Sequence, residues 1–180
     1  MRPEFIRRRG VPSGFSLLEM MLATVILLVG IVAIAQLVPA SILMNYRNRN
    51  DSSALVFAQR ELDQFIDQPL SLAAPFTDAL GQTCSLGNPA SPNIIQPNSS
   101  YVITINNQAL INFGAAPVTN YSFTYQDPTD PSGATYDVRW AVILTGNGSN
   151  VYSKRFILGV RQQGGNGYFQ PIALDTMVQK

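Results

Sequence analysis

The sequence predicts an α+β protein, with one long N-terminal helix followed by an antiparallel sheet. Three observations carry this. Met20 to Met44 form 25 consecutive positions without a formal charge, more than the roughly 20 apolar residues that cross a bilayer core. An amphipathic helical pattern follows and is closed by Pro69. From residue 101 onward, β-branched and aromatic runs alternate with turn residues. One helical segment followed by a run of strands is the α+β order.

The helix comes first. A cleaved secretory signal has an apolar region of only about 7–15 residues, so the run to Met44 reads as a membrane span. Gly30, Gln36 and Pro39 interrupt it. Proline removes a helix hydrogen bond and crowds the carbonyl four residues earlier. Neighbouring groups in a membrane can satisfy what it frees. Past Met44, Ala54, Ala58, Leu62 and Ile66 recur every four residues with Leu55 and Phe65 beside them, which is one helical stripe. Arg49, Arg60, Glu61, Asp63 and Asp67 are mostly off it. Arg60 and Asp63 are spaced to pair on the surface, for a few tenths of a kcal/mol. A helix from Phe15 to Gln68 is about 54 residues, or roughly 80 Å long. Its first half needs lipid or other helices around it; its second half needs a domain to pack on.

Residues 69–100 read as an irregular connection. Pro69, Pro75, Pro89, Pro92 and Pro97 argue against long elements, and loops of this length are usually functional or disordered. Phe76 and Leu80 are the residues expected to pin it to the sheet. Strands are expected at Tyr101–Ile105 and Tyr121–Tyr125. Two longer runs, Tyr136–Leu144 and Val151–Arg161, are joined by a hairpin loop at Gly146-Asn147-Gly148-Ser149. Tyr168-Phe169 and Ile172–Leu174 suggest a last edge strand. Trp140, Phe156 and Leu158 are core candidates.

Composition excludes much. The 180 residues have a formal net charge of +1, with 13% charged residues, and give no case for nucleic-acid binding. There is no histidine and one cysteine, Cys84. A monomer therefore has no internal disulfide and no His/Cys metal cluster. Cys84 is expected to be a partly buried small residue, with an intermolecular disulfide as the alternative. Without histidine the usual general base is missing, and no enzyme activity or cofactor is expected. A Ser/Lys site stays open, because Lys154 is the only lysine besides Lys180. Asp127 and Asp130 lie in a Pro-rich turn, short of the six to eight oxygens that calcium takes. Gly164-Gly165-Asn166-Gly167 is a turn without a strand-to-helix context for phosphate.

The sharpest motif is Gly14-Phe15-Ser16-Leu17-Leu18-Glu19. Arg2, Arg7, Arg8 and Arg9 precede it, and the apolar run follows. Charge asymmetry keeps residues 1–14 cytoplasmic and sends residues 45–180 across the membrane. Glu19 is out of place, since an ionisable side chain at mid-membrane depth costs about 2.5–3.5 kcal/mol on insertion scales. Without residues 1–14 the chain has 8 basic and 10 acidic residues, about −2.

This stretch resembles the class III signal of type IV pilins and pseudopilins. The resemblance implies a leader, 1–14, cut by a prepilin peptidase between Gly14 and Phe15, with Phe15 then N-methylated. It implies that Glu19 neutralises the Phe15 amine of an adjacent subunit and aids docking to an inner-membrane assembly platform. Residues 15–44 become a transmembrane and assembly helix, 45–68 its amphipathic continuation, 69–100 a variable connection and 101–180 a sheet-bearing head. Gly30 and Pro39 mark the segment that melts in an assembled filament. The proline that pilins carry at the Gln36 position stands three residues later here. Residues 17–30 look most like PilV-type minor pilins and related minor pseudopilins. The implied partners are other pilin or pseudopilin subunits and membrane lipid. The implied location is the bacterial inner membrane as a single-pass precursor, then a pilus or pseudopilus.

Overall fold

The computed structural model describes residues 14–126, 128, 133–147, 150–163 and 171–179. It divides into two units, 1–45 and 46–180. Helix α1 spans Leu17–Asp67, 51 residues, starting two residues after and ending one before the expected limits. Up to Asn45 its side chains are exposed. That fits a segment whose apolar groups need lipid or other helices.

The rest forms an α+β head. The end of α1 buries Ala54, Phe57, Ala58, Glu61, Leu62 and Phe65, the three-and-four spacing of one helical face. This face is turned about one position from the expected stripe. Ile66 and Leu55 are exposed, Phe57 is inside, and Glu61 is fully buried rather than on the outer face. Arg60 sits against Glu61 at 3.5 Å instead of pairing with Asp63. The buried face follows where the aromatic rings find partners. Phe65 packs on Trp140 at 5.1 Å, and Phe57 stacks on Tyr125 at 4.4 Å.

The strands are β1 (Phe76–Thr77), β2 (Thr83–Cys84), β3 (Ile95–Gln96), β4 (Val102–Ile105), β5 (Gln108–Ile111), β6 (Ser122–Gln126), β7 (Thr135–Asn147), β8 (Asn150–Gln163) and β9 (Ile172–Gln179). The main sheet is antiparallel. β7 pairs with β8 along nearly its whole length, and β9 adds to the far side of β8. The other edge of β7 is shared by β6, opposite residues 135–139, and β3, opposite 142–143. The β7–β8 hairpin is longer than the sequence runs predicted, and a register shift lies at Thr145/Gly146. Tyr168-Phe169 fall outside the described residues, as do Gly164–Gly167; β9 runs on to Gln179 instead of ending at Leu174.

Both faces of this sheet are covered. Tyr136, Val138, Trp140, Val142 and Leu144 of β7 face α1, with Phe156 and Leu158 of β8. Ala141 and Ile157 face the other way, against Tyr101 and Ile111. That second face is covered by a hairpin of its own. β4 and β5 pair with each other, not with the main sheet, through a two-residue turn at Asn106-Asn107. Both asparagines have positive φ, 50° and 63°, as a type I′ turn requires. The hairpin lies close because β8 has Gly159 there. A Cβ on it would come within 2.8 Å of Ile111 and 3.0 Å of Phe113.

The connection 69–100 is built, not loose. Phe76 and Leu80 pack on the main core. The Gln96 side chain accepts from Asn88 N–H at 2.6 Å and donates to the carbonyls of Asn88 and Ser91 at 3.2 and 2.9 Å. The buried indole of Trp140 donates to the Ser85 carbonyl at 2.9 Å, so the connection also completes the core's polar groups.

Candidate functional site

The residues singled out by sequence lie along the start of α1. Ser16 caps it. Its carbonyl accepts from Glu19 N–H at 3.0 Å and Met20 N–H at 3.2 Å, and its Oγ accepts from Glu19 N–H at 3.2 Å. Glu19 is thus three residues after the capping serine, the spacing of a capping box, in which the glutamate can reach back to the cap. It is also the acidic residue of the first turn, where a carboxylate meets the positive end of the helix dipole, for about 0.3–1 kcal/mol. Sequence reasoning missed this. The signal was present as Ser16-Leu17-Leu18-Glu19, read only as part of a processing motif. Part of the cost of a carboxylate beside an apolar run is therefore offset inside the chain itself.

Phe15, just before the cap, is 76% exposed. No atom lies within 4 Å of a Cβ built on Gly14. The arginines of residues 1–13 fall outside the described residues. Gly30 and Pro39 lie inside α1, and the helix is continuous through both. Large apolar side chains from Leu17 to Met44 are exposed. The helix is long and apolar enough to cross a membrane, as a membrane anchor or signal sequence would be. These residues do not converge on a pocket; they form a linear element with its charge, cap and apolar surface in order.

The head brings together other groups. Glu61, Asp78 and Cys84 meet where α1, the β1–β2 turn and β2 pack. Cys84 is fully buried, so its thiol reaches another chain only if the β1–β2 hairpin opens. Among the described residues no group of three or more His, Cys, Asp or Glu is arranged to hold a metal ion. Asp127 and Asp130 fall outside them. A groove of about 320 Å³ runs beside Val56, Phe57, Arg60 and Tyr125. Its floor is the Phe57–Tyr125 stack, with the Arg60 guanidinium 5.5 Å from the Phe57 ring.

On the opposite face of the sheet, Asp137 holds two arginines. Arg139 donates to it from Nε and Nη2, both at 2.9 Å, and Arg161 donates at 3.2 Å. Both guanidiniums lie over Phe113, at 5.2 and 4.6 Å. This is a structural knot in which Asp137 and Arg139 are buried and Arg161 reaches the surface.

Comparisons with models of known families, with characterised proteins and with solved structures find no match. The architecture is pilin-like on its own geometry: a long N-terminal helix, apolar at its start, packed through its end on an antiparallel sheet.

Proposed function

We propose that the chain is a pilin-type structural subunit, matured by cleavage between Gly14 and Phe15, and a minor one of the PilV kind that starts or caps a filament. The observation that carries this is one helix serving two environments. Its first part exposes apolar side chains on every side, and its last part has a single buried face fitted to a sheet. A soluble domain has no use for the first part. A bundle of such helices has, and the freed Phe15 amine then needs a carboxylate. Opposite charges about 4 Å apart attract by about 4 kcal/mol at an effective dielectric near 20, before desolvation is set against it. Glu19, the acidic residue of the first turn of α1, is the residue to which we assign this contact.

A related minor pseudopilin of a secretion or DNA-uptake system fits the same geometry. The capping box favours one reading of a different class. If Glu19 serves only its own helix, the chain is an uncleaved membrane-anchored scaffold or binding domain. Two measurements separate these. N-terminal sequencing of the membrane-extracted protein should begin at N-methylated Phe15, whereas the scaffold keeps its leader. Glu19→Gln should remove the chain from sheared filaments at least tenfold while leaving its level in the membrane unchanged. Glutamine still serves a capping box, so a loss isolates the charge. Full incorporation of Glu19→Gln overturns the assembly role.

A further inference from the structure

Glu61 lies on the buried face of α1 with no exposed surface. Its Oε1 accepts from Gln64 Nε2 at 3.2 Å and from Arg60 Nη2 at 3.5 Å. Its Oε2 is equally buried and meets no donor among the described residues. An orphaned buried oxygen of this kind is rare and calls for a cause. Beside it stands Asp78, also buried, close enough to share a hydrogen bond once one of the two holds a proton. Asp78 organises the turn between β1 and β2. Its Oδ1 accepts from the N–H groups of Leu80 and Gln82 at 2.9 and 2.6 Å. Gln64 adds a second tie from α1, its Oε1 accepting from Ala79 N–H at 2.7 Å.

We propose that Glu61 is a proton latch. Protonated, its Oε2–H donates to the Asp78 carboxylate and clamps the β1–β2 hairpin onto α1. Ionised, it releases the proton to water and leaves two carboxylates opposed in a buried site, so the hairpin lifts. The inference concerns the head alone and stands whether or not the chain enters a filament.

The groups that face Glu61 decide the direction. Burial and then Asp78 push its carboxyl up to about 7, and Arg60 opposes them. The Arg60 side chain is half exposed, so solvent screens its charge. Among the described residues, Cys84 on β2 is the remaining titratable neighbour. From β8, Lys154 is buried on the same side of the sheet, but its Nζ is bonded to the Leu72 carbonyl. A carboxyl raised in the folded state contributes stability that is complete below pH 4.5. That stability is lost as pH rises through about 7.

Cys84 is a built-in reporter. It is the chain's single cysteine and is a buried residue of the hairpin's own strand β2, its Sγ 3.9 Å from Asp78 Oδ2. Burial pushes its thiol up to about 12, so it reacts when the hairpin opens. The test is the labelling rate of Cys84 by a dipyridyl disulfide in the full chain in detergent, from pH 5.5 to 8.5. Each rate is divided by that of the same chain in denaturant, to remove the thiol's own titration. One latch proton allows up to a tenfold change in opening per pH unit. The wild-type ratio should therefore rise about 30-fold and level off above pH 7. Glu61→Gln should stay flat. Asp78→Asn offers an amide donor to the ionised Glu61 and should move the rise to lower pH; it also serves if Glu61→Gln does not fold. A flat wild-type profile, or an Asp78→Asn profile that coincides with wild type, overturns the latch.

Discussion

Asp137→Ala is expected to lower the stability of the head by about 3–5 kcal/mol, the usual result of removing one partner from a buried ion pair. Asp137 and Arg139 are two apart on β7, hence on one face, and Arg161 stands directly across from Asp137 on β8. The Asp137 and Arg139 side chains are each 5% exposed. Arg139 uses both arms of its fork, two bonds to the carboxylate and one from Nη1 to the Ala115 carbonyl at 2.6 Å. Without Asp137 the Arg139 guanidinium stays buried with that carbonyl and the Phe113 ring. A ring contact of this kind is worth only about 0.5–2 kcal/mol. Arg161, whose side chain is 36% exposed, can turn to water; Arg139 cannot. Thermal unfolding followed by near-ultraviolet circular dichroism should show a midpoint lower by about 10 °C or more. Adding Arg139→Met to Asp137→Ala should recover most of the loss, because the buried charge goes with its partner. A double variant as unstable as Asp137→Ala alone would show that the carboxylate acts otherwise, through the backbone of β7.

The contrast between the two sheet faces explains what the sequence allowed to be read. The long helix and the strand-rich C-terminal half were legible because both rest on periodicity. The covered second face was not. In β7, Tyr136 through Val142 are all buried, so the apolar–polar alternation of Tyr136 to Trp140 is not matched by an alternation of buried and exposed positions. Asp137 and Arg139 resemble outward-facing residues in a half-exposed strand. They are inside because β4–β5 and the following loop lie over them, an arrangement of distant segments that local pattern does not encode. Gly159 was the available hint, since a glycine within a strand often marks a close approach of another segment.

Glu61 was misread for a related reason. A stripe drawn on apolar residues alone sets every charge outside. The stripe of Ala54, Phe57, Ala58, Leu62 and Phe65 passes through position 61, and the buried carboxyl is tolerated there because Gln64 and the Asp78 turn meet it. The connection also looked unstructured by composition, yet the Gln96 side chain and the Trp140–Ser85 bond hold it. At the start of α1 the order of Gly14, Ser16 and Glu19 was visible at once. The same order also carries the spacing of a capping box, with Ser16 bonded to Glu19 N–H, so a charge-removing, cap-preserving change is the one that tests the assembly role.

Lys154→Met should make the head more stable at neutral pH, by about 2–3 kcal/mol. Lys154 is 1% exposed on the α1-facing side of β8, opposite Leu144 of β7 and Val178 of β9. Among the described residues its Nζ donates to the Leu72 carbonyl at 3.3 Å and to no carboxylate. Burial lowers its ammonium to about 8 from the 10.5 of an exposed lysine. The sign follows from proton counting. Below pH 8 folded and unfolded chains both carry the proton, and the folded one bears the full cost of burying the charge. Between pH 8 and 10.5 the folded chain sheds the proton first, so wild-type stability rises with pH. Above 10.5 both forms are neutral and the cost is gone. The span of 2.5 units corresponds to about 3 kcal/mol. The lost hydrogen bond subtracts about 1 kcal/mol, limited by water reaching the half-buried Leu72. Methionine fits the space, being unbranched and flexible. Denaturant titrations at pH 7 and pH 10 check this. The variant's advantage should be large at pH 7 and nearly closed at pH 10. Equal stabilities at pH 7 would mean that the folded chain holds the Lys154 ammonium at no net cost, its titration staying near the 10.5 of an exposed lysine, and a gap unchanged at pH 10 would mean that packing, not charge, sets it.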